Sequence, residues 1–252
     1  MSPMFRLKAT LDHLAIVSWR VQAAKLATLL PEPLVPQTID AEGQWGLVSM
    51  AMMFDTTHSS RYEQVNERAY VKKRDGSGEG AFFWRSHANS PQASFYRFLL
   101  GVPEYEASLS LNVKSDSYVF SRESHEVARL VLKPPTGASK KYQKFDLERA
   151  KRVSQNPLIG YTMNWGELCE TLVYHDKIDA GVVTTVAADP SFMLPSVAIE
   201  RDELGRPEDP LIAVYQRDTP FIIGLPPRPV RGGSYLGLWR KAFCPWSASR
   251  PT

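Results

Sequence analysis

Glu104 and Tyr105 stand where the chain passes from a helix to a strand, and both residue types can move a proton. Ser90 suits an N-cap, Pro91 the first helical turn and Gly101 a left-handed C-cap, which predicts a short helix over Pro91 to Leu100. Phe95, Phe98 and Leu99 would share one of its faces. Gly101-Val102-Pro103 ends it, and Leu109, Leu111 and Val113 then alternate with Ser110, Asn112 and Lys114, as in a strand with one buried face. Side chains at such a corner can be aimed into a cavity. There, Glu104 and Glu63 could form a paired-carboxylate site in which desolvation and mutual repulsion raise one pKa into the range of a working acid or base, whereas a cation such as Arg85 or Arg97 would tie Glu104 into a structural ion pair. Both readings stay open. His87 lies on the strand that feeds the corner; with an ordinary pKa of about 6.5 its imidazole could exchange protons, or it could cap the turn at Asn89-Ser90. Strand alternation puts Phe82, Trp84 and Ser86 on one face and Phe83, Arg85 and His87 on the other. His175-Asp176 could orient a second imidazole or simply end a strand in solvent.

The elements that would position these residues are mostly strands. Leu11 to Val21 reads as a strand, followed by a short helix over Gln22 to Leu30 that Pro31 and Pro33 stop. Trp45 to Phe54 is a buried strand, and Val65 to Lys73 forms a hairpin with Gly80 to His87 around a glycine-rich tip. Ser108-Val113 pairs with Tyr118-Phe120, and Val127 to Leu132 continues that sheet. Residues 133 to 145 read as a polar linker that could act as a flap over a pocket. A charged helix over Asp146 to Val153 follows, then strands at Glu167 to Tyr174 and Ala180 to Ala187. Proline punctuation from Pro190 to Pro229 predicts extended segments wrapping the body. Short strands at turn-delimited spacing favour a barrel or two-layer sandwich.

Bulk composition excludes several classes. With 252 residues, 43% of them hydrophobic, the chain can bury a sizeable core as one domain. A formal charge of +3 with scattered basic residues does not motivate nucleic-acid binding. Met1 to Lys8 lacks a continuous apolar run, and no stretch of about 18 apolar residues occurs, so a cytoplasmic protein without membrane association is expected. Cys169 and Cys244 read as two reduced thiols. The five dispersed histidines offer no His-x-x-x-His spacing, and no phosphate loop, dinucleotide fingerprint or nucleophile elbow is present. No cofactor and no metal is expected. Five of the six tryptophans, Trp45, Trp84, Trp165, Trp239 and Trp246, are mostly core, with one or two available to line an apolar cavity.

The segment Asn89-Ser90-Pro91 through Gly101-Val102-Pro103-Glu104-Tyr105 resembles the catalytic segment of the acetoacetate decarboxylases, which reads Gly or Ala, an aromatic, Pro, Lys, Lys at the corner. An Asn, a Pro and an Arg of that family fall at the spacings of Asn89, Pro91 and Arg97. Trp19-Arg20 and Leu29-Leu30-Pro31-Glu32-Pro33-Leu34 resemble the family's aromatic-Arg and the turn that follows it. Val65 to Val71 and Phe82 to Asn89 resemble its paired central strands. The resemblance is good over the first half of the chain and poor over the second, and is closest to an uncharacterised branch in which the lysine pair is also replaced. It implies an α+β, mainly β fold: one domain over residues 1–252, built as a closed, cone-like β-barrel with a few short helices, and a possible homo-oligomer.

The resemblance also implies a site. Glu63 falls near the family's assisting carboxylate, although Gln64 fits equally well, and the Ser86 face of its strand is implied to line the cavity. Asp12-His13 takes the place of the arginine that grips the substrate carboxylate. A Schiff-base decarboxylase needs a free amine with a lowered pKa, and neither Glu104 nor Tyr105 can form an imine. The pairs Lys72-Lys73 and Lys140-Lys141 read as solvated turn charges, protonated at neutral pH. Two function classes follow. One is a cofactor-free lyase, dehydratase or cyclase acting on a carbonyl-rich, largely apolar small molecule, with Glu104, Tyr105, Glu63 and His87 moving protons and Trp84, Arg85, Ser86, Gln64, Asp12 and His13 binding substrate. The other is a protein that binds such a molecule without turning it over.

Overall fold

A computed structural model describes residues 5–57, 60–100, 103–134, 147–176, 178–193 and 210–231. Strands dominate them. β1 (Phe5–Gln22), β2 (Leu34–Pro36), β3 (Trp45–Thr56), β4 (Arg61–Lys73) and β5 (Gly80–Ala88) are followed by β6 (Glu104–Glu106), β7 (Leu109–Val113), β8 (Ser117–Arg122) and β9 (His125–Val131). β10 (Ile159–Asn164), β11 (Glu167–His175), β12 (Gly181–Val182), β13 (Thr184–Ala188), β14 (Ile212–Leu225) and β15 (Arg228–Pro229) complete them. Three helices, α1 (Ala23–Thr28), α2 (Gln92–Leu100) and α3 (Leu147–Gln155), are short.

The larger sheet runs β14-β1-β3-β4-β5-β10-β11, and β11 pairs again with β14 through Val173, Tyr174 and His175. Only the β5–β10 step among these is parallel. Gly80 makes that step possible, because a Cβ there would lie 2.3 Å from the carbonyl oxygen of Ile159. β13-β9-β8-β7 form a second sheet that covers the outer face of the first. Between the sheets, Val17, Trp19, Met50, Met52 and Val65 pack against Tyr118, Phe120 and Leu130, and the Tyr118 hydroxyl donates to the Met52 carbonyl at 2.9 Å. β3 lacks polar alternation because both of its faces are covered: Met50 and Met52 face this core, while Leu47, Ala51 and Met53 face inward.

Two bulges decide which side chains face inward. β1 carries one extra residue relative to β3 between Asp12 and Ala15, where His13 has a left-handed φ of 53°. The inward set therefore changes from Leu7, Ala9 and Leu11 to Leu14 and Ile16. β5 carries the other, since Arg85 faces Glu67 while Phe83 faces Arg68, leaving Trp84 as the extra residue.

Several predicted elements differ from the observed ones. β1 begins at Phe5 and β4 at Arg61, each earlier than read, while α1 is shorter, because Leu29 and Leu30 belong to the turn before Pro31. Ala180 to Ala187 is two strands: β12 joins β14 in the large sheet and β13 joins β9 in the small one. Residues 212–225, read as wrapping segments, form β14, which pairs with β1 along its length. Pro220 is tolerated there because, on the side away from β1, it lies between the β12 pairings at 214–215 and the β11 pairings at 221–223. β10 was not anticipated. Residues 135–145 of the expected flap, Asp146, Cys244, Trp239, Trp246 and the pair Lys140-Lys141 lie outside the described residues; Cys169 is a buried free thiol. No described helix is long and apolar enough to cross a membrane.

Candidate functional site

The inner face of the large sheet surrounds a cavity of about 250 Å3. Leu11, Leu14, Ile16, Met53, Phe83 and Phe221 supply much of its apolar wall, and a polar band crosses it on four adjacent strands: Asp55, then Gln64, Asn66 and Arg68, then Ser86, then Glu104. The register explains the band. β6 runs parallel to β5 with Glu104 beside Ser86, and on β4 every second residue from Tyr62 to Arg68 points inward. The Gln64 amide nitrogen donates to Ser86 Oγ at 2.9 Å and reaches Glu104 Oε1 at 3.4 Å. Ser86 in turn donates to Asn66 Oδ1 at 2.7 Å.

The two carboxyls of the band are buried in this apolar setting. Burial pushes Asp55 up to about 6. Burial first, and then the charge of Asp55, push Glu104 up to about 7, against the opposing hydrogen bond from Gln64. Asp55 Oδ1 and Thr219 Oγ1 are buried with no hydrogen-bond partner among the described residues. They flank Leu11, which faces Thr219 on β14 and Asp55 on β3, so both groups belong to one row across three strands. A like-charged pair near neutrality, with unused hydrogen-bonding capacity beside it, can give and take protons from a molecule held in the cavity.

Three of the sequence-predicted residues, Glu104, Gln64 and Ser86, line this cavity, and seven point elsewhere. Tyr105 alternates away from Glu104; its ring lies 5.8 Å from that of His87, with the Arg97 guanidinium 4.3 Å and the Arg85 guanidinium 5.7 Å from its centre. The two cations considered as partners for Glu104 therefore stack on Tyr105. His87 faces the outer side, with Nε2 3.4 Å from the wholly buried Glu67. Glu63 also faces outward and accepts from the Asn89 amide at 3.2 Å. The β5 bulge breaks the simple alternation, so Phe83 joins Ser86 in the cavity while Trp84 packs edge-on against Phe82 in the outer core. Asp12 points away by ordinary alternation after Leu11 and accepts from Arg61 at 2.7 Å, while the β1 bulge turns His13 away, its Nδ1 2.6 Å from the Tyr215 hydroxyl.

Asp55, Arg68, Thr219 and His175 line the cavity and were not read as site residues, apart from His175 as an uncommitted candidate. Asp55 had a signal, being the one carboxylate at the end of an otherwise apolar run, Trp45 to Phe54. Lys73 is paired with Glu170 at 2.9 Å, and no lysine lines the cavity among the described residues. No group of three or more His, Cys, Asp or Glu among those residues is placed to hold a metal ion.

Comparison with known proteins places this geometry. A family described as "Uncharacterized conserved protein", DUF2071, matches residues 8–217. Among solved structures, acetoacetate decarboxylase from Legionella pneumophila superposes with a TM-score of 0.56 at 12% identity, over 89% of this chain and 87% of its own. An acetoacetate decarboxylase-like enzyme from Sphingomonas wittichii gives 0.53 at 14% identity, over 86% and 91%. The enduracididine biosynthesis enzyme MppR gives 0.50 at 12%, over 91% and 89%. No curated protein matches in sequence.

Proposed function

We propose a function for a chain that belongs to the DUF2071 family and has the acetoacetate decarboxylase-like fold: a cofactor-free enzyme of the lyase, dehydratase or cyclase type. Its substrate is a small, largely apolar molecule bearing a carbonyl group, enclosed in a closed β-barrel that forms one domain. Glu104 exchanges protons with the carbon or oxygen next to that carbonyl. Asp55 keeps Glu104 poised, and Gln64 with Ser86 orients it. The observation that carries this reading is the position of Glu104: a carboxyl at the cavity wall, held near a pKa of about 7 by burial and by Asp55. Such a group is present in both protonation states at neutral pH, as general acid-base chemistry requires. Tyr105, Glu63 and His87, which point away, are not given a part in the chemistry. The reaction needs no imine.

The test follows hydrogen–deuterium exchange next to the carbonyl of acetylacetone by NMR, with borohydride trapping in parallel. Exchange by the wild-type protein is expected to rise through an inflection near pH 7, and Glu104→Gln should lower it by about 10²- to 10⁴-fold. Mass spectrometry should find no borohydride-fixed adduct on any lysine; a trapped lysine would overturn the mechanism. Binding of the ketone without any exchange would instead support a carrier role for the same apolar walls.

A further inference from the structure

Arg68 is the one described cation that lines the cavity, and it has no acidic partner among the described residues. It is only 8% exposed. Its Nε donates to Ser49 Oγ at 3.1 Å, one Nη donates to the Ser154 carbonyl at 3.2 Å, and the guanidinium lies 5.3 Å from the centre of the Tyr70 ring. Tyr70 braces the same cradle, its hydroxyl 2.8 Å from Ser49 Oγ and 3.1 Å from the Ser154 carbonyl. Every partner is neutral. Withdrawing a guanidinium from water is unfavourable unless an anion completes the site. The cradle fixes one edge of the planar group and leaves the other N–H groups for a ligand.

We propose that Arg68 is the anion-binding residue of this cavity, and that the ligand is a small organic acid whose carboxylate pairs with Arg68 while its uncharged carbonyl end meets Glu104. The inference rests on the reading of the cavity as the substrate site and adds the class of substrate. Gln64, which touches Glu104, precedes Arg68 by four residues on the same face of β4, so their backbones are separated by roughly 13 Å. Asn66 lines the cavity between them on the same face of β4, and Phe83 lies opposite Arg68 on β5. A single guanidinium edge matches a carboxylate, whereas a phosphate dianion would bring a second charge into a cavity whose other polar end carries two carboxyls.

The test compares levulinate with levulinamide, which keeps the shape and removes the charge, by calorimetry or ligand-observed NMR. The wild-type protein is expected to bind the acid at least about tenfold more tightly than the amide. Arg68→Gln should erase that preference and Arg68→Lys should restore part of it. Glu104→Gln should leave it in place, which separates this inference from the acid-base reading: preference kept with exchange unaffected in Glu104→Gln would defeat the acid-base role alone. Equal binding of acid and amide by the wild-type protein, or binding of neither, would overturn the assignment, and that comparison needs no variant to fold.

Discussion

Two pairs of buried ionisable groups lie on opposite faces of the same sheet. Glu67 and His87, on β4 and β5, face the packed outer core, where an acid meets a base at 3.4 Å. Asp55 and Glu104, on β3 and β6, face the cavity, where an acid meets an acid and burial raises both. A buried acid beside a buried base is an arrangement that a stable interior tolerates, although neither Glu67 oxygen has a hydrogen-bond partner among the described residues. The second works against folding, because two acids face the same apolar hollow and burial disfavours the charged form of each. Side chains that work against folding and line a hollow are candidates for function, and those that work for it are candidates for structure.

The largest effect expected from this contrast is on activity: Glu104→Gln lowers ketone exchange by about 10²- to 10⁴-fold, whereas Glu67→Ala leaves the rate per folded molecule within a small factor. Stability should show the reverse. Glu67→Ala leaves a cavity where a wholly buried side chain stood and is expected to destabilise the protein by about 3 kcal/mol in urea titrations, at an unchanged denaturant slope. Glu104→Gln should instead stabilise it above pH 7, and the sign follows from the titration. An ordinary glutamate titrates at about 4.3, and Glu104 in the folded chain at about 7. The folded state therefore holds this proton where the unfolded state has lost it. The contribution is fully present below about pH 4.3 and is lost as pH rises to about 7, a total on the order of 3 kcal/mol. Asp55, also raised, acts in the same direction. Thermal melts of the wild-type protein across this window should fall more steeply than those of Glu104→Gln; parallel curves would place the titration on another group.

The helix-to-strand corner was legible because its signals are local: Ser90 does cap α2, accepting from the Gln92 amide, and Pro103 does precede a strand. The register then sets Glu104 of that corner beside Ser86. Illegible were the relations set by register and by distant pairing. Alternation assigns faces only while strands stay regular, and the single extra residues at His13 and Trp84 exchange the faces of everything beyond them. Hence Trp84 went to the cavity on paper and to the outer core in the fold. The choice between Glu63 and Gln64 likewise turned on which residue of β4 sits opposite an inward residue of β3, and Gln64 faces Met53. Asp55 and Glu104 are brought together across intervening strands, which no local pattern records. In sequence Arg68 is one charge among Glu67, Lys72 and Lys73, and only its burial against neutral oxygens sets it apart.

The finest division concerns how much of the rise at Glu104 comes from its neighbour and how much from the walls. Asp55→Asn removes a charge and keeps the shape. Burial is the larger cause and survives the substitution, so the inflection in the exchange profile should drop by no more than about one pH unit and stay well above the ordinary carboxylate value of about 4.3. A drop all the way to that value would show that repulsion between the carboxyls outweighs desolvation. An unmoved inflection would show that they do not interact and that the apolar wall alone sets the poise. Glu67→Gln, which alters a buried carboxyl behind the same strands, should leave the inflection where it is, because its side chain meets His87 on the opposite face. Movement there would mean that the sheet transmits charge between its faces, and the separation of a structural pair from a working pair would no longer hold.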